Sequence, residues 1–107
     1  SVSAFLLNRS SDLAMQTITV DLSGYAFVGI QCQASTSDTG NRWEFIPVPT
    51  GTGTVNSTFV FASFNTSGNP TVGRYIGVKK TGVTFGSSTV VYGTNKDAIP
   101  IRIYAFK

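Results

Sequence analysis

Two stretches of the chain carry side chains whose types and spacing could do chemistry. In the first, the polar run Ser35-Thr36-Ser37-Asp38-Thr39-Gly40-Asn41 leads into Arg42-Trp43-Glu44, so an aromatic plane stands next to groups that hydrogen-bond hydroxyls. In the second, Tyr92, Asn95, Lys96 and Asp97 repeat the combination near the C-terminal strand. A ring that stacks on the apolar face of a sugar, with polar groups that fix its hydroxyls, is the chemistry of saccharide recognition. Asp38, Asn41, Arg42, Trp43, Glu44, Tyr92, Asn95 and Asp97 are therefore the candidate saccharide-binding residues. Against this stands a plainer reading, in which Trp43 anchors the core and the loops only solvate the ends of the fold, because large aromatics on strands are usually buried.

Catalysis has less to work with. The chain has no histidine, and its acids are Asp12, Asp21, Asp38, Glu44 and Asp97, all but Glu44 in or beside an expected turn. Glycoside cleavage needs two carboxylates about 5–10 Å apart, which Asp38 and Glu44 could supply, but solvated turn and edge residues account for the same acids. Zinc lacks its usual ligands when histidine is absent and cysteine single. Asp38, Asn41 and loop carbonyls could hold calcium, yet they lack the fixed spacing of a dedicated loop. Gly51-Thr52-Gly53 is not followed by a helix start and so makes no phosphate cradle. Cys32 continues the alternation Val28, Ile30, Cys32, Ala34, which predicts a buried, inert thiol. The expectation is a protein that is not an enzyme, with no catalytic residue, cofactor or metal assigned.

At 107 residues the chain has room for one core, and residues 1–107 read as a single domain. Charged residues make up only 12% while Ser, Thr, Asn and Gly abound, the surface of an extracellular or structural β module. The net charge of +3 comes from scattered cations, of which only Lys79 and Lys80 are adjacent, so nucleic acid is not an expected partner. No apolar run approaches the roughly 18 residues of a spanning helix, which argues against membrane insertion. Ser1 to Leu7 lacks the basic segment and length of a signal peptide, and the chain reads as a soluble fragment or mature domain. A single cysteine permits no internal disulfide, so packing alone must hold the fold.

The elements that must position these residues are strands. From Ile99 to Phe106 the side chains alternate, with Ile99, Ile101, Ile103 and Ala105 on one face and Pro100, Arg102, Tyr104 and Phe106 on the other. This closing strand has to complete a sheet begun earlier. Ala4 to Asn8 is a candidate edge strand, broken by the turn residues Arg9 to Asp12. Met15 to Leu22 predicts a strand with Ile18, Val20 and Leu22 inward, and Asp21 to Gly24 a turn. Tyr25 to Ala34 is apolar on both faces at Phe27-Val28-Gly29-Ile30 and belongs in the middle of its sheet. Arg42 to Ile46 places Trp43 and Phe45 on one side and stops at Pro47 and Pro49. Val55 to Phe64 sets Phe59, Phe61 and Ser63 against Val60, Ala62 and Phe64 and so needs cover on both faces. Val72 to Lys79 follows the polar loop Asn65 to Pro70, and Lys80-Thr81-Gly82 turns the chain. Val83-Thr84-Phe85 and Thr89 to Tyr92 are read as a hairpin through Gly86-Ser87-Ser88. About eight or nine short strands without a helix predict an all-β, antiparallel, jelly-roll-like β-sandwich. Strands apolar on both faces, Tyr25 to Ile30 and Val55 to Phe64, also call for more cover than two sheets provide, which either a homo-oligomer or loops laid over those strands would supply.

The pattern Tyr75-Ile76-Gly77-Val78-Lys79, then Gly82-Val83-Thr84-Phe85, then Ile99 to Lys107 resembles the C-terminal ends of bacteriophage tail fibre, tailspike and baseplate proteins. Thr19 to Ile30 is similar to the strand, turn and strand that open those domains, although Ala105 stands where such ends often carry glycine. The resemblance implies a trimeric β-sandwich head or tip domain on a virion tail, the C-terminal part of a longer chain, attaching the particle to a bacterial surface glycan or protein. No catalytic carboxylate pattern carries over from it. The alternatives are a carbohydrate-binding module or lectin domain of a secreted protein, and a structural trimerisation or capping domain.

Overall fold

The closing strand finds partners along both of its edges. The computed structural model describes residues 2–6, 17–33, 43–64, 67–93 and 98–107, and within them lie eight strands and no helix. They are β1 (Val2–Leu6), β2 (Thr17–Thr19), β3 (Phe27–Gln33), β4 (Trp43–Pro47), β5 (Asn56–Phe64), β6 (Pro70–Lys79), β7 (Gly82–Val90) and β8 (Ile99–Phe106). Every pairing is antiparallel, in two four-stranded sheets ordered β1-β8-β3-β4 and β2-β7-β6-β5. This is the expected all-β sandwich. The pairs β1–β8 and β2–β7 wrap the two ends of the chain together as in a jelly roll, whereas β3–β4 joins successive strands and β5–β6–β7 is a meander.

The two sheets share one apolar layer. The first contributes Val28, Ile30 and Cys32 from β3, Ile46 from β4, and Ile103 and Ala105 from β8. The second contributes Val60 and Ala62 from β5, Val72, Ile76 and Val78 from β6, and Val83 and Phe85 from β7. As expected, Leu22 is fully buried, Ile18 and Val20 pack against this cluster, and β3 lies between β8 and β4 inside its sheet. The turn at Asp21 to Gly24 is also present. The Ser23 amide and hydroxyl both donate to Asp21 Oδ1, holding that carboxyl below its usual value, and Gly24 takes the left-handed conformation at φ 87°.

Four sequence readings change. The expected hairpin through Gly86-Ser87-Ser88 does not form: residues 82–90 run as the single strand β7. Its register against β6 shifts between Arg74 and Ile76, so the glycine and serine mark a bulge inside one strand. The unbroken alternation read along β8 is interrupted too. Gln31 pairs with Arg102 but Cys32 with Pro100, and this shift leaves Pro100 buried instead of sharing the exposed face of Arg102. In β5, register shifts after Phe61 bring Phe64 against the Phe61 ring at 5.6 Å, where strict alternation would separate them. Finally, β1 starts at Val2 where Ala4 was expected, and β2 ends at Thr19, short of Leu22, while Leu7, Asn8, Met15 and Gln16 of the expected spans lie outside the described residues. The turn expected at Arg9 to Asp12 and the loop at Ser35 to Asn41 lie outside the described residues.

Among the described residues, one charged side chain sits in the core layer. Arg74 alternates with Val72, Ile76 and Val78 on the inner face of β6 and is completely buried. It donates to Gly86 O at 3.1 Å and to Ser88 Oγ at 2.6 Å, and Ser88 Oγ also accepts the Ala98 amide at 3.0 Å. The bulge in β7 thus offers acceptors that a regular strand would spend on its ladder, and the network ties β6, β7 and the entry to β8 together. Arg74→Ala should cost about 3 kcal/mol in chemical denaturation, from the cavity and the orphaned acceptors. Burial pushes the Cys32 thiol up to about 12, against the nearby Arg74 guanidinium, which favours the thiolate. A disulfide-exchange reagent should leave Cys32 untouched in the folded protein and titrate one thiol after unfolding.

Candidate functional site

The outward positions of the first sheet form three rows across its strands. Taken through β4, β3, β8 and β1, the register sets Pro47, Phe27, Phe106 and Val2 in one row. Phe45, Gly29, Tyr104 and Ala4 form the next, and Trp43, Gln31, Arg102 and Leu6 the third. The alternation that sends Val28, Ile30, Ile46 and Ile103 into the core sends the β3, β4 and β8 members of these rows to the other face.

Aromatic rings dominate this face. Phe27 stacks on Phe106 at 4.9 Å and meets Phe45 edge-on at 5.8 Å, and Trp43 lies tilted on Tyr104 at 5.3 Å. Phe45 and Tyr104 also reach Phe106, at 6.1 and 6.5 Å. Such contacts each contribute about 0.5–1.5 kcal/mol beyond area burial. The rings converge because Gly29 has no side chain: a Cβ there would lie 2.9 Å from Phe45 Cε1 and 3.1 Å from Phe106 Cε2. Trp43, Phe45, Tyr104 and Phe106 enclose a groove of about 320 Å³. In the row of Trp43 the exposed Arg102 donates to Gln31 Oε1 at 2.8 Å, and the Gln31 side chain is itself buried beneath that row.

The expected site residues divide. Trp43 is half-buried on this outer face and is not part of the inter-sheet core, so the reading of it as a core anchor is set aside. Glu44 does not join it. Its Cα pairs with Ile30, a core position, so it faces the side of the sheet opposite Trp43 and the two cannot grip one ligand from one side. Tyr92 is exposed just beyond β7, its amide donating to Thr71 O at 3.1 Å. Asp38, Asn41, Arg42, Asn95, Lys96 and Asp97 lie outside the described residues. The strand ends that flank them are neighbours, since Gln33 pairs with Ile99. Among the described residues no group of three or more His, Cys, Asp or Glu could hold a metal ion, and no helix is long and apolar enough to cross a membrane.

Sequence reasoning missed Tyr104, Phe106, Phe45, Gln31 and Arg102 as partners of Trp43. The signal was present: Tyr104, Phe106 and Arg102 were read on one face of the last strand, and Phe45 on the side of Trp43. The missing piece was that β8 and β4 flank the same strand. Comparisons of the chain with protein-family models, curated proteins and solved structures find no match.

An outer-face ring and a core ring should respond differently to truncation. Trp43→Ala should unfold cooperatively with a loss of about 1 kcal/mol, whereas Phe85→Ala, in the core, should lose about 3–5 kcal/mol. Urea denaturation of the two variants checks the contrast.

Proposed function

We propose that this chain is a non-enzymatic attachment module of a phage tail protein, located on the virion, that binds a bacterial surface saccharide and works as a homotrimer. The observation that carries the binding reading is the aromatic groove with an exposed cation in the neighbouring row. The Trp43 and Tyr104 rings offer flat apolar faces for stacking, and Arg102, exposed and held by the buried Gln31, supplies donors for hydroxyls. A sheet face is a rigid support, so such a groove is largely preformed and loses little entropy on binding. The assignment to a phage tail rests on the resemblance of the C-terminal pattern.

One feature favours a second reading, a structural trimerisation or capping domain. Phe45 is 52% exposed within a cluster of five rings, the kind of apolar patch that another copy of the chain would cover. A glycan array run beside a solution mass measurement separates the two. The proposal predicts a trimer that retains selected bacterial glycans, with Trp43→Ala and Tyr104→Ala each weakening binding by about tenfold or more. A trimer that retains none would leave the capping role. A monomer with glycan affinity would point to a carbohydrate-binding module of a secreted protein, and release of reducing sugar from a bound glycan would contradict a non-enzymatic role.

A further inference from the structure

The outer face of the second sheet carries a different surface. Ser57 of β5, Gly77 of β6, Thr84 of β7 and Thr17 of β2 form one row, and Thr17 and Thr84 share a hydrogen bond of 3.0 Å between their hydroxyls. The neighbouring outward position on β6 is Tyr75, 61% exposed and held upright by edge contact with Phe59 at 5.0 Å. Between Tyr75 and Val55 the surface drops into a trough of about 290 Å³. The drop exists because Gly77 and Gly86 on adjacent strands present no side chains. A Cβ on Gly77 would lie 3.1 Å from Val55 Cγ1, and one on Gly86 3.1 Å from Tyr75 O, so side chains there would fill the space.

The trough combines a ring, hydroxyls and one charge. Lys79 continues the outward positions of β6 and lines the trough, while neither described carboxylate, Asp21 nor Glu44, does so. A neutral sugar would use Tyr75, Ser57 and Thr84 but gain nothing from Lys79. A sugar carrying a carboxylate or sulfate would pair that charge with an ammonium that the lining leaves without an acidic competitor.

We infer that this trough is a second saccharide site, selective for acidic sugars, with Tyr75 as the stacking platform and Lys79 as the anion partner. It goes beyond the groove at Trp43, lies on the opposite face of the sandwich and does not depend on that groove being a binding site. Ser57 and Thr84 accept or donate to ring hydroxyls on the trough floor, and Lys79 sets the direction in which the acidic group must point. A chain so equipped could hold an acidic glycan at one face whatever occupies the other.

The test is an amide-resolved NMR titration of the 107-residue chain with a glucuronate-containing oligosaccharide, its sulfated analogue and its neutral glucose counterpart. Saturable shifts at Tyr75, Gly77 and Gly86 are expected with either acidic sugar, and affinity about fivefold weaker for the neutral one. Lys79→Gln should bring the acidic sugar down to the neutral level, as should high salt. Tyr75→Ala should weaken binding by about tenfold, Tyr75→Phe should retain it, and Trp43→Ala should leave these shifts unchanged. The tyrosine variants keep the test sound if truncation disturbs the sheet. The inference is overturned if no sugar shifts these amides, if the neutral and acidic sugars bind equally, or if Lys79→Gln has no effect on the acidic one.

Discussion

The fold depends on one insertion: the last strand lies between β1 and β3, with backbone hydrogen bonds on both of its edges. Without β8 the first sheet is a lone β1 and a β3–β4 pair, and an isolated two-stranded unit is marginal in water. The same strand supplies both layers that matter. Ile103 and Ala105 go into the shared core, and Tyr104 and Phe106 form the middle of the outer aromatic face. Pairing of Val2 with Phe106 and of Leu6 with Arg102 closes a loop of nearly the whole chain, an expensive contact to form early. The second sheet, built around the β5–β6–β7 meander, can therefore assemble from local pairs before the first is completed.

Both sheets then carry aromatic residues on the side away from the core. On the first these are Phe27, Trp43, Phe45, Tyr104 and Phe106, and on the second Phe59, Phe61 and Tyr75. The two faces solve the problem of exposed rings differently. On the first, Gly29 lets the rings collapse on one another, and the result is an apolar groove whose neighbouring row carries the exposed Arg102. On the second, Tyr75 keeps its edge contact with Phe59, while Gly77 and Gly86 open a trough on its other side that hydroxyls and Lys79 line. Both faces therefore carry aromatic surface away from the core, one gathered into a groove and the other opened into a trough.

Much of this was legible in the chain. The period of two in β8, the central position of β3 and the shared side of Trp43 and Phe45 follow from side-chain alternation, which is a local property. Opposed placement of Trp43 and Glu44 was legible too, because the rule that joins Trp43 with Phe45 sends Glu44 the other way. The bulges were not. An inserted residue at Ile101 or at Gly86-Ser87 is defined by what the partner strand does, so Gly-Ser-Ser reads as a turn in one strand and appears as a bulge only in a pair. Arg74 occupies an inward position by periodicity, but a charge in that place is acceptable only because the β7 bulge and Ser88 supply acceptors. Which strands lie side by side is a long-range fact, and the groove, which needs β4, β3 and β8 together, could not be read before it was known.

Trp43 is the single tryptophan of the chain, so its emission reports directly on the face that is held to do the binding. A fluorescence titration with a bacterial surface polysaccharide retained by the protein should show a saturable change in that emission, with no sugar released. Emission that stays constant while the polysaccharide binds would contradict the account, because it would place the bound ligand away from the groove.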